Sequence, residues 1–127
     1  MLGGNSGERK VSLASGKACF NALKSKRYTV SKFDPKFENF NLINRKNIDV
    51  IFNALHGKGG EDGIAQSYFE YLRIPYTHSG VISSFNAMNK AVSKEIFIKN
   101  KILTPKYFTI DRKKYKLNFL RKILKKK

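Results

Sequence analysis

Apolar positions along the chain change period near its middle. Over residues 48–55 they run nearly unbroken and are rich in β-branched and aromatic side chains, the pattern of a strand buried on both faces of a parallel sheet. From Ile64 the apolar residues recur at helical spacing instead. Between the two lie His56, the glycines Gly57, Gly59, Gly60 and Gly63, and the adjacent acids Glu61 and Asp62. The stretch therefore predicts a strand, a glycine-rich turn and a helix. Ligands of open α/β sheets bind beyond the carboxyl ends of the strands, which makes His56 and Glu61 candidate site residues. Asp62 is placed to cap the following helix, and the four glycines would allow positive φ and close backbone approach. The run fits neither the Walker pattern nor a dinucleotide fingerprint, so a tight turn with a hydrogen-bonded histidine stands beside the functional reading.

Taken in order, Met1 and Leu2 supply only two apolar residues before Gly3–Gly4, a first strand cut short. A helix is predicted over 9–26, with Val11, Ala14, Ala18, Cys19, Ala22 and Leu23 on its inner face. Glu8 lies at the mouth of that helix, where a carboxylate complements the dipole, and Ser6 and Ser12 read as capping hydroxyls. Residues 28–33 form a second strand closed by Asp34–Pro35, and residues 36–47 a short covering element through Phe37, Phe40, Leu42 and Ile43. The helix over 63–72 would bury Ile64, Tyr68, Phe69 and Leu72, followed by a short strand at 73–77. One helix over 86–100 and a strand over 106–110 come next. Lys90 and Lys94 share a face of that helix, where solvation is the simplest account of both. Residues 111–127 predict a basic helix with Tyr115, Phe119, Ile123 and Leu124 along one side, read as a helix of a larger domain rather than a membrane-surface helix.

Composition narrows the class. At 127 residues the chain suits one domain with a modest core. It has no stretch of eighteen apolar residues and no charged leader before a hydrophobic segment, so a cytoplasmic protein without a membrane partner is expected. The single Cys19 can form no internal disulfide and reads as a small core residue. The net charge of +17 invites a nucleic-acid reading. Nine of the basic residues lie in 112–127, however, which leaves 17 against nine acids elsewhere. No zinc module, helix-turn-helix or aromatic-interleaved basic motif accompanies them. A small basic nucleic-acid-binding protein is the alternative, and no specific nucleic-acid partner is expected.

Four ordered segments carry a family resemblance: LGGNSGERKVSLASG at 2–16, ALHGKGGEDG at 54–63, IPYTHSGVISS at 74–84 and NKAVSKEIFIKNKILTPKY at 89–107. Together they resemble the D-alanine–D-alanine ligases of the ATP-grasp superfamily, which make the dipeptide for peptidoglycan. The resemblance implies an α/β, Rossmann-like parallel sheet with flanking helices, truncated. Residues 1–83 would be the N-terminal substrate-binding domain and 84–127 the incomplete start of the central ATP-grasp domain. By the same resemblance Glu8 binds the ammonium group of the first D-alanine, His56 and Ser79 line the substrate, and Lys90 contacts ATP phosphate. In the family, ATP phosphorylates one D-alanine, the amine of a second attacks the acyl phosphate, and phosphate leaves from a tetrahedral intermediate. ATP and Mg2+ (or Mn2+) are the implied cofactors, with the metal ligands outside this chain, and a homodimer is implied for the complete enzyme. The isolated chain is then expected to be an inactive fragment. It departs from the family at His78, where a small residue is usual, and at Asn89, where an acid precedes the lysine.

Overall fold

The computed structural model describes residues 1–110 and Arg121. Helix α1 spans Arg9–Ser25, α2 Ile64–Tyr71, α3 Val81–Met88 and α4 Lys90–Lys99, with single 3-10 turns at Phe40–Leu42 and Arg45–Asn47. Met1–Ser93 form one compact unit, and the described residues from Lys94 onward belong to a second. No helix among the described residues is long and apolar enough to cross a membrane.

The strands expected at 28–33, 48–55, 73–77 and 106–110 are extended segments rather than regular strands, and one parallel bridge, Ile51 to Tyr76, is formed among the described residues. Single backbone hydrogen bonds nonetheless set the neighbours. The Leu2 N–H donates to Phe33 O (3.0 Å), Ala54 N–H to Met1 O (2.9 Å), Ile51 N–H to Pro75 O (2.8 Å) and Thr77 N–H to Ile51 O (3.1 Å). Side chains take the bonds a ladder would need: the Asn53 N–H goes to Thr77 Oγ1 and the Leu55 N–H to Asn53 Oδ1. Nor is the 48–55 segment buried on both faces. Ile51, Asn53, Ala54 and Leu55 are buried, whereas Val50 is 58% exposed and Phe52 is 36% exposed.

The core lies between this segment and α2. Phe69 and Ala65 are fully buried, joined by Ile43, Ile51, Leu55 and Ile74. Rings of Phe40 and Tyr76 tilt against Phe69 at 6.3 and 5.3 Å. Burying a phenylalanine completely stabilises a fold by about 1.5–3 kcal/mol, so Phe69 anchors α2. The buried residues of α2 are Ala65, Gln66 and Phe69; of the expected strip Phe69 is buried, Leu72 packs against the core, Tyr68 is half-buried and Ile64 is exposed. Within 36–47, Ile43 is buried and Phe40 half-buried, while Phe37 and Leu42 are exposed.

Helix α1 also turns a different face inward from the one expected. Ser12 and Gly16 are its buried residues and Cys19 is half-buried, whereas Val11, Ala14, Ala18 and Ala22 are exposed. The cause is close approach. A Cβ on Gly16 would collide with Leu2, and the Ser12 hydroxyl accepts from the Gly3 N–H at 2.8 Å while donating to Ala54 O at 2.6 Å. Ser12 is therefore a bridge, not a cap.

The single helix expected over 86–100 is two helices broken at Asn89, whose ψ of 101° leaves the helical region. Its Oδ1 accepts from the Ala91 and Val92 N–H groups at 3.1 and 3.3 Å, so an uncharged amide opens α4 where an acid would otherwise stand. Helix α3 lies before that break; its residues 86–88 fall within the expected helix, and no element was expected over 81–85. In the second unit Lys94 is not left to solvent: its Nζ donates to Thr104 Oγ1 (2.9 Å) and Pro105 O (2.8 Å) and lies 5.4 Å from the centre of the Tyr107 ring. The basic helix expected over 111–127 lies outside the described residues.

Substituting Ser12→Ala leaves a buried N–H and a buried C=O without partners. The expected outcome is a loss of about 1–3 kcal/mol in urea unfolding, with Ser25→Ala, whose hydroxyl bonds only to Ala22 O within α1, as the comparison.

Candidate functional site

Two loops meet at the mouth of α1. The first runs from Gly3 to Glu8 and is held by charge. The Gly4 N–H donates to Asp34 Oδ1 at 2.9 Å, and the Arg9 guanidinium grips the same carboxylate at 3.0 and 2.7 Å while donating to Gly4 O at 2.8 Å. Hydrogen bonds from Arg9, assisted by the Gly4 and Lys36 N–H groups, hold the Asp34 carboxyl at about 2, below its usual 3.8. Glu8 ends this loop at the N-cap position of α1, exposed and without a side-chain capping bond.

The second loop is the glycine-rich turn. Gly57 takes φ +71°, and its N–H donates to Glu61 Oε2 at 2.9 Å. Gly60 has no positive φ, contrary to expectation; it is needed because a Cβ there would strike Leu55. Its carbonyl accepts from both Asn53 Nδ2 (3.0 Å) and Gln66 Nε2 (2.8 Å). Asp62 accepts from the Gly59 N–H and from the Ile64 N–H, which keeps it structural as read, although Gly63 holds the N-cap position of α2.

Ser6 joins the two loops: its hydroxyl donates to His56 O at 2.6 Å and accepts from the Glu8 N–H at 3.1 Å. Like Ser12, it links segments instead of serving only as a cap. His56 Nδ1 lies 3.4 Å from Glu61 Oε1, and Nε2 lies 3.0 Å from Ser15 Oγ. One ligand atom from each of Glu8, His56 and Glu61 falls within 4.8 Å of the others. The three side chains are thus brought together.

A cleft of about 510 Å³ opens beside them, lined by His56, Glu61, Ser15, Cys19, His78 and Ser79 among others. Ser79 is exposed, its carbonyl accepting from Ser84 Oγ. His78 takes φ +80° and turns Nε2 to within 2.8 Å of Asn53 O, its ring edge-on to Phe52. Lys90 is exposed at the first residue of α4 and does not line the cleft. Nearby, Tyr76 is pushed up to about 12, first by burial and then by its 2.7 Å bond to the Glu70 carboxylate.

Several residues that build the site were not singled out from sequence: Ser15, Asn53, Gln66, Arg9 and Asp34. Asn53 and Gln66 were detectable as polar residues inside apolar patterns, where a buried amide must find partners. The Arg9–Asp34 pair, 25 positions apart, leaves no local signal.

Helices, the extended segments between them and an open cleft together set carboxylates and an imidazole at a glycine-rich turn. The family of the chain follows from comparison. Residues 31–79 match the family described as "D-ala D-ala ligase N-terminus". The chain is 51% identical over 125 residues to a D-alanine–D-alanine ligase of Pelagibacter ubique, covering 98% of this chain and 41% of that one. It is 44% identical over 113 residues to the ligase of Pelotomaculum thermopropionicum, covering 89% and 36%. The solved Bacillus anthracis D-alanine–D-alanine ligase complexed with ATP superimposes with a TM-score of 0.75 at 34% identity, over 94% of this chain and 42% of that one. Over the segment it spans, the chain belongs to the D-alanine–D-alanine ligase family. That segment is about two-fifths of the length of these relatives.

Because the folded state lowers the Asp34 pKa, the pair stabilises the fold above the ordinary carboxylate range, and this is lost as pH falls from about 4 towards 2. Asp34→Asn is expected to lower the melting temperature by about 5 °C at pH 7 and to approach the wild type near pH 2, as read by thermal scans across pH.

Proposed function

We propose that this chain is the substrate-binding part of a D-alanine–D-alanine ligase, which joins two D-alanines with conversion of ATP to ADP and phosphate for the cell wall. The observation that carries the reading is the meeting of Glu8 with His56 and Glu61 within 4.8 Å, beside a cleft that His56 and Glu61 line, in a chain whose relatives bear that name. In this reading the extended segments at 1–2, 28–33, 48–55 and 73–77 form a Rossmann-like parallel sheet, supported by their hydrogen-bonded order. Residues 1–83 are the N-terminal domain and 84–127 the beginning of the ATP-grasp domain. A cytoplasmic homodimer is the proposed state of the whole enzyme. The nucleic-acid alternative rests on net charge alone.

Each residue then has a task. Glu8, held without a capping bond at the mouth of α1, pairs with the ammonium of the first D-alanine. His56, held at Nε2 by Ser15 and facing Glu61 with Nδ1, lies beside the same substrate and tunes the local charge. Ser79 borders the cleft where substrate would pass. Lys90 stands at the opening of α4, where a cation and a helix N-terminus suit one phosphate of ATP. ATP supplies the phosphoryl group that activates a carboxylate. Mg2+ needs oxygen donors in octahedral array; the gathered donors Glu8, His56 and Glu61 include an imidazole, so they do not fit Mg2+, whose ligands belong to the rest of the enzyme.

The test joins residues 1–110 to the corresponding remainder of the Pelagibacter ubique ligase and follows ADP formation with D-alanine and ATP varied separately. Glu8→Gln is expected to lower kcat/KM for the first D-alanine by roughly tenfold to a hundredfold, the equivalent of a lost charge-assisted hydrogen bond, with ATP use almost unchanged. Unaltered D-alanine kinetics together with a lower melting temperature would leave Glu8 a purely structural charge.

A further inference from the structure

The protons around His56 can be counted. The Ser15 hydroxyl has one proton and donates it to Val11 O at 2.8 Å. At 3.0 Å from His56 Nε2 its oxygen must therefore accept, which places the ring N–H on Nε2. Nδ1 is left facing Glu61 Oε1 at 3.4 Å. Glu61 is itself oriented, because its other oxygen holds the Gly57 N–H. Glu8 completes the group, tied to the same turn through Ser6. Nδ1 and the two carboxylates thus set three donor atoms within 4.8 Å of one another, a grouping that a proton on Nδ1 or a bound cation would hold together.

We propose that Glu8, His56 and Glu61 form a binding site for a divalent first-row transition metal, for which Zn2+ is the probe. Two carboxylates and one imidazole are an N/O donor set that suits such ions. The Ser15 contact has the form usual at metal sites, where the ligating histidine donates its other ring N–H to a fixed acceptor that sets the tautomer. Ser15 is then a positioning residue, acting on the metal through His56. Solvent completes the coordination, since Glu8 is exposed and the group borders an open cleft. A metal here would share Glu8 with the ammonium group of the proposed function, so the two would exclude each other. The site itself does not depend on that reading, because it is tested by metal binding to the 127-residue chain without catalysis.

Zn2+ affinity is measured by competition with a chelating dye at neutral pH. His56→Ala and Glu61→Gln are each expected to weaken binding by at least about tenfold. Ser15→Ala should weaken it by about tenfold, the usual cost of losing an orienting partner, and Ser15→Thr should restore it. Cys19→Ser and His78→Asn, which alter the other soft or imidazole donors of the cleft, should leave binding unchanged. In the wild-type chain, Zn2+ should shift the His56 ring resonances in nitrogen-detected NMR and leave those of His78 in place, a reading that needs no variant to fold. The proposal is overturned if Zn2+ moves His78 instead, if Cys19→Ser abolishes binding, if His56→Ala binds as the wild type does, or if no Zn2+ binds because the His56 lone pair is already taken by a proton.

Discussion

The rest of the structure depends on one buried hydroxyl. Ser12 Oγ takes the Gly3 N–H and gives its proton to Ala54 O, so one side chain of α1 ties the opening segment to the segment that ends in His56. Neither segment has a ladder of its own to do this. Met1 and Leu2 contribute one main-chain bond to Phe33 and two to the 48–55 segment, at Phe52 O and from the Ala54 N–H, and the Ser12 hydroxyl adds the side-chain link between them. The Arg9–Asp34 pair adds a second tether outside the core, holding Gly4 from both its N–H and its carbonyl. Glu8 follows directly after these fixed points, and its position is a consequence of them.

The same logic explains which parts of the fold were legible in the sequence. Helices α1 and α2 were predicted within a residue of their ends because their periods and flanking turns are local properties. Phe69 and Leu72 of α2 were expected inward and are, but Ser12, Gly16 and Gln66 were missed because apolar residues alone were assumed to point inward. In each case a polar or minimal side chain is required by a backbone lying close by, and no periodicity encodes that. The α3–α4 break at Asn89 was missed because an asparagine among helix-favouring residues reads as tolerated until its side chain is seen to take the Ala91 and Val92 N–H groups. Regular strands were expected from β-branched composition, but Asn53 and Thr77 divert the hydrogen bonds that strands would need.

The candidate site shows a similar division. His56, Glu61 and Glu8 stood out as chemistry-bearing residues beside glycines and a helix start, and they do meet. What orients them was hidden, since Ser6 and Ser15 reach His56 from 50 and 41 positions away. Lys90 was drawn in by family resemblance, and its place at the head of α4 is separate from the cleft. The result is a turn at which two carboxylates and an imidazole converge.

The central claim is that the opening loop is fixed by side-chain acceptors, and amide hydrogen exchange tests it most directly. The Gly3 N–H, held by buried Ser12, should exchange as slowly as the Ala54 N–H, which donates to Met1 O. The Lys58 N–H, at the exposed tip of the glycine-rich turn, should exchange quickly. Exchange of Gly3 at the rate of an unstructured peptide, with Ala54 still protected, would contradict the account.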